Sequence, residues 1–153
     1  MAITKLSGGK KLEEALKLLG AKAKNAAVLN VGFMSDATYP DKNHTPVAAV
    51  AATNEFGRPD HNQPPRPFFR GMITKESPHW GKGLGDILKS EDYDAARSLR
   101  IMGKEIEGEL VQSIQDFTTP GLAESTKKAK GFDKPLIDTD VMWRSVDSFV
   151  EET

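Results

Sequence analysis

The chain has 153 residues, 38% hydrophobic and 28% charged, with a net charge of -1 and no cysteine. That length suits a single domain, 1–153, with a modest core. The near-neutral balance argues against a general nucleic-acid binder, which needs a cationic footprint. The absent cysteines exclude disulfides and thiolate metal sites. No apolar run is long enough to span a membrane. The start lacks a signal-peptide core, so the chain is expected to be made and kept in a cytoplasm.

The first element is a helix over residues 10–24, with Leu12, Ala15, Leu16 and Leu19 on one face and lysines and glutamates on the others. Residues 26–33 alternate and are rich in β-formers, so a strand is expected with Leu29, Val31 and Phe33 on one side. Residues 34–45 read as a polar loop, with Tyr39-Pro40-Asp41 as a turn. Asp36, Asp41 and His44 in this loop share no metal-ligand spacing. Thr45 before Pro46 is the expected N-cap of the next helix.

The most informative stretch is PVAAVAATNEFGRPDHNQPPRPFFRGM, residues 46–72. Val47, Val50, Ala51 and Asn54 fall three and four apart, which is one face of a short helix. Gly57 follows and suits a left-handed stop. The proline-rich segment after it is expected to run as an extended, stiff arm, with its backbone groups left to water or an outside partner. It delivers Phe68 and Phe69 between Arg66 and Arg70. At least one of the two phenylalanines should anchor the core. Asp60 and His61 are adjacent, and on an extended chain they would point to opposite sides.

A short helix is expected from residue 70 to 76, stopped by Ser77-Pro78, followed by a second helical segment weakened by three glycines. The longest element spans about 92–116. Ala95, Leu99, Met102, Ile106, Leu110, Ile114 and Phe117 step by three or four along it. Gly103 and Gly108 would allow another backbone to come close. Thr118-Thr119-Pro120-Gly121 stops it. Near the end, KPLIDT, residues 134–139, reads as a rigid turn with Leu136 and Ile137 buried. A short helix, 141–145, and a strand, 146–150, close the pattern.

VAAVAATNEFG followed by PPRPFFR, together with the Pro120, Leu122, Ser125, Thr126, Lys128 and KPLIDT block, resembles the signature of tailed-phage tail-completion or head–tail joining proteins, also called virion morphogenesis proteins. The resemblance covers roughly two thirds of the chain. It makes Asn54, Glu55, Phe56, Gly57, Pro135, Leu136, Ile137, Asp138 and Thr139 the structural motif. The family often has a tyrosine before the small-residue helix, here Tyr39, and a glycine after the threonine, where this chain has Asp140. The resemblance implies a neck subunit of a virion that forms a ring, such as a hexamer, and joins tail to head. Its partners would be copies of itself and adjoining neck, connector or tail-tube proteins, with DNA only as cargo.

Arg58, Pro64, Pro65, Arg66, Phe68, Phe69 and Arg70 are the candidate subunit-interface residues. Their arginines would offer bidentate donors to carboxylates of a neighbour. Two other readings stand beside this one. One is an adaptor whose Lys127, Lys128 and Lys130 line a DNA channel. The other is a small hydrolase, for which the run Ser125-Thr126-Lys127-Lys128 would have to supply a Ser/Lys pair. No G-x-S-x-G, H-E-x-x-H or phosphate-binding glycine loop is present. No catalytic residue, metal ligand or cofactor is therefore assigned. The expected fold is α+β: a small antiparallel sheet on the long helix and shorter helices, with the proline-rich arm projecting.

Overall fold

The computed structural model describes residues 9–23, 27–121, 128, 131, 136 and 140–152. In chain order the elements are α1 (Gly9–Ala23), β1 (Ala27–Phe33), α2 (Val47–Phe56), a 3-10 turn (Pro59–His61), α3 (Phe68–Ser90), α4 (Ala95–Asp116), α5 (Val141–Arg144) and β2 (Val146–Glu152). The fold is α+β, with a two-stranded antiparallel sheet laid across a long helix.

The ribbon pairs Leu29 with Val150, Val31 with Ser148 and Phe33 with Val146. As the alternation predicts, Leu29, Val31 and Phe33 pack against the core, while Val28 on the other face is 52% exposed. The ribbon can lie close to α4 because of Gly103. A Cβ there would stand 2.7 Å from Ser148 Oγ and 2.9 Å from Leu29 Cδ1. Gly108 has no such role, since nothing lies within 4 Å of its Cβ position. Beside Gly103, Glu107 accepts a short hydrogen bond from Ser148 Oγ, and Lys104 reaches Asp147 at 3.4 Å. These two residues tie the strand to the helix at its polar margin.

The stripe of α4 is buried as the spacing predicts: Met102, Ile106, Leu110 and Ile114 join Val47, Ala51, Phe68, Met72, Leu136 and Met142 in one core. The helix begins three residues later than expected. Asp94 is its N-cap, and its carboxylate accepts from the Arg97 N–H at 2.9 Å. Asp92 and Tyr93 before it have positive φ and belong to the turn. Ser98 is fully buried and turns its hydroxyl back onto the Asp94 carbonyl at 2.6 Å.

Ser77-Pro78 does not divide the preceding segment; α3 is one helix of 23 residues with Pro78 inside it. Proline removes one N–H from the ladder and crowds the preceding turn, which destabilises a helix by ~3 kcal/mol. Contacts with α4 on both sides of Pro78 offset that. Met72 is buried before it, and Trp80 after it donates to Glu109 at 2.8 Å. At the far end Ser113 Oγ donates to the Phe68 carbonyl at 2.7 Å.

The loop before α2 is tied by Asp41, not by a Thr45 cap. Pro46 takes the N-cap position without a side-chain bond. Thr45 instead donates both its N–H and its hydroxyl to the Asp41 carboxylate, at 2.8 and 2.5 Å. These bonds, the hydroxyl first, hold the Asp41 pKa below its ordinary value. Tyr39 packs against the core, and its N–H bonds to the Thr45 carbonyl at 2.8 Å.

Candidate functional site

The NEFG and RPFFR segments form one hydrogen-bonded clasp between the end of α2 and the start of α3. Gly57 ends α2 with φ 75, and its N–H bonds to the Thr53 carbonyl. The chain then doubles back. A Cβ at Gly57 would stand 2.7 Å from the Gln63 carbonyl and the Pro65 nitrogen, so only glycine fits the crossing. Asn54 fastens the returning strand. Its side-chain oxygen accepts from Arg66 Nη1 at 2.9 Å and Gln63 Nε2 at 3.3 Å, and its backbone carbonyl accepts from the Arg66 N–H at 2.8 Å.

Glu55 completes the clasp. It is 5% exposed, on the buried side of α2 beside Val47 and Ala51. One carboxylate oxygen accepts from the Phe69 N–H at 2.9 Å. The other accepts from the Arg70 N–H at 3.2 Å and Arg70 Nε at 2.7 Å. Pro67, at the N-cap of α3, has no side-chain donor or acceptor to close the helix. Glu55 therefore caps α3 from a different helix, pairing two otherwise orphaned N–H groups and placing negative charge at the positive end of the dipole. Arg70 also bonds the Glu55 carbonyl at 3.2 Å and lies 5.0 Å over the Phe56 ring.

The segment between these anchors is not an extended projecting arm. It folds back as a closed loop, with an Arg58–Gln63 bridge, the Pro59–His61 turn and a left-handed Asn62. The backbone N–H groups of Arg58, His61, Asn62, Gln63 and Arg66 all bond within the chain. The turn also brings the neighbours Asp60 and His61 together, at 3.3 Å, where an extended chain would have kept them apart. Both are about two-thirds exposed, and Asp60 is held below its ordinary pKa chiefly by its hydrogen bond from Arg58.

The three arginines expected to reach a neighbour are engaged within the chain. Arg58 pairs with Asp60 at 2.9 Å, Arg66 with Asn54, and Arg70 with Glu55. Arg66 is buried, which lowers its pKa, and its Nε has no hydrogen-bond partner among the described residues. Phe68 is 1% exposed and meets Phe33 edge-on at 6.4 Å, so it is a core residue and not an interface residue. Arg58, Pro64 and Pro65 remain on the surface.

Phe69 is half-buried and borders an apolar groove of about 410 Å³ between α3, α4 and β1. Leu29, Ile73, Trp80, Leu84 and Ile106 line it with Phe69. Sequence spacing did not indicate this groove, because it lies between three elements whose apolar residues each read as core.

In the C-terminal block, Leu136 is buried as expected. Pro135, Ile137, Asp138 and Thr139 lie outside the described residues, as do Ser125, Lys127 and Lys130. Asp140 takes the left-handed conformation at φ 59. Its carboxylate does not cap α5; it accepts from Trp143 Nε1 at 3.1 Å. Among the described residues no group of three or more His, Asp or Glu is placed to hold a metal ion, and no helix is long and apolar enough to cross a membrane. Comparison with protein-family models, curated proteins and solved structures gives no match.

Proposed function

We propose that the chain is a structural virion protein, a neck or tail-completion subunit of a tailed phage that assembles with copies of itself into a ring joining tail to head. The observation that carries the self-assembly is the apolar surface left outside the core. Leu12, Leu16 and Leu18 of α1 are 64%, 58% and 62% exposed, and Val28 and Phe149 on the outer ribbon face are 52% and 49% exposed. A subunit that completes its burial against neighbours has this distribution. The virion assignment is supported by the resemblance, whose first block is one interlocked unit here: Asn54 bonds Arg66, Glu55 bonds Arg70, and the chain crosses closely over Gly57 at Pro65.

The test is light scattering on the purified protein after size-exclusion chromatography, followed by negative-stain imaging. The expected result is a closed multimer with a central opening. A protein that stays monomeric at tens of micromolar (a concentration at which weak assemblies form) overturns the ring.

A further inference from the structure

We infer that the groove between α3, α4 and β1 is the seat for α1 of a second copy of the chain. This rests on the self-assembly part of the reading above.

The shapes correspond. Leu12, Leu16 and Leu19 lie at i, i+4 and i+7 on α1, the spacing by which an amphipathic helix fills an apolar groove. Leu12 and Leu16 stay exposed in their own chain, so α1 does not fill its own groove. Instead Lys22 ties the end of α1 to Asp92 in the α3–α4 turn, through both the carboxylate and the backbone carbonyl. The groove has room as well: nothing lies within 4 Å of the Cβ position at the exposed Gly81, which lines it.

The charges also correspond. Residues 1–26 carry six lysines and two glutamates, whereas the rest of the chain carries fifteen cations and twenty carboxylates. The acids gather beside the groove. An adjoining depression shares Met72 with it and is bordered by Glu76, Glu109 and Asp116 with one lysine, Lys75. Glu109 also holds the groove residue Trp80. Lys10, Lys11 and Lys17 of an incoming α1 meet that rim as its leucines enter the groove. The helix and the groove are different surfaces, so each copy offers one and receives the other. Such a head-to-tail contact closes into a ring when its rotation allows.

The absence of native cysteine makes the test clean. Leu16→Cys and Ile73→Cys proteins are mixed, assembled and treated with a short bismaleimide, while light scattering reports the assembly before cross-linking. The expected product is a covalent dimer that needs both variants. Adding Gly81→Leu to the Ile73→Cys chain puts a bulky side chain on the groove's lining and is expected to lower the dimer yield about tenfold with unchanged circular dichroism. Full assembly without the mixed dimer overturns the α1 seat and leaves self-assembly standing. Monomers at every concentration overturn both. A chain carrying both cysteines that cross-links only within itself places α1 in its own groove and overturns the inference.

Discussion

The buried Glu55 carboxylate holds Arg70 twice: it takes both the guanidinium Nε, at 2.7 Å, and the backbone N–H of the same residue, at 3.2 Å. The pair links the last turn of α2 to the first turn of α3 across a loop rich in proline. Glu55→Ala removes the acceptor for two helix N–H groups and leaves a buried gap. A loss of about 2–3 kcal/mol is expected in urea unfolding. Glu55→Gln keeps one acceptor oxygen and should fall between the two. Equal midpoints for the alanine variant and the parent would show that the cap contributes nothing.

Phe68 and Phe69 should separate sharply despite their adjacency. Phe68 is 1% exposed and touches Phe33, so Phe68→Ala should cost about 3–5 kcal/mol. Phe69 is half-buried, packed against the edge of the core and bordering the groove, and Phe69→Ala should cost less than half as much. Thermal unfolding of the two variants side by side checks the order, which a shared surface role would reverse or level.

Gly103→Ala tests the seat of the ribbon. The added methyl would meet the Ser148 hydroxyl and a Leu29 methyl inside 3 Å, with Ser148 Cβ at 3.1 Å, so both side chains must shift. Overpacking of this kind destabilises by about 1–3 kcal/mol. Faster amide exchange at Val31 and Ser148 should accompany it. Gly108→Ala, with open space at its Cβ position, should stabilise the helix slightly through propensity. The opposite ranking would contradict the packing described.

Charge reversal distinguishes the arginines. Arg66→Glu puts a carboxylate in a buried site against the Asn54 oxygen, and a loss of about 3 kcal/mol or more is expected. Its failure to assemble would therefore report on folding. Arg58→Glu lies on the surface and loses only an exposed pair with Asp60, so it should change the melting temperature little. It is the variant whose effect on assembly, measured by light scattering, speaks about a partner.

Acid should release the Asp41–Thr45 tie. The folded pKa of Asp41 lies below its ordinary value of 3.8, mainly through the Thr45 hydroxyl. Its contribution is therefore complete above that value and is lost as pH falls below it, through the folded pKa. Asp41→Asn should be less stable than the parent at pH 6, and the gap should narrow below pH 3.8. A gap that widens in acid would contradict the assignment.

The sequence by itself determined the elements whose signal is local. The stripe of α4, the alternation of β1, the stop at Gly57 and the burial of one of the Phe68–Phe69 pair each follow from spacing or from the chemistry of a few adjacent residues, while the packing decided that the buried one is Phe68. Tertiary structure alone decided which polar groups meet. Glu55 reaches Arg70 fifteen residues away, and Arg66 reaches Asn54 across twelve, pairings to which periodicity along one element is blind. Glu55 even sits on the apolar side of α2, where spacing favours a hydrophobic residue, because the open N-terminus of α3 supplies donors there. Pro78 reads as a helix stop by local sterics, but packing of α3 on α4 carries the helix through it. The prolines of the loop suggested an extended course, whereas the segment folds back on itself. Stiff segments can turn as readily as they extend once a glycine at positive φ starts the turn and a neighbouring helix end offers its carbonyls.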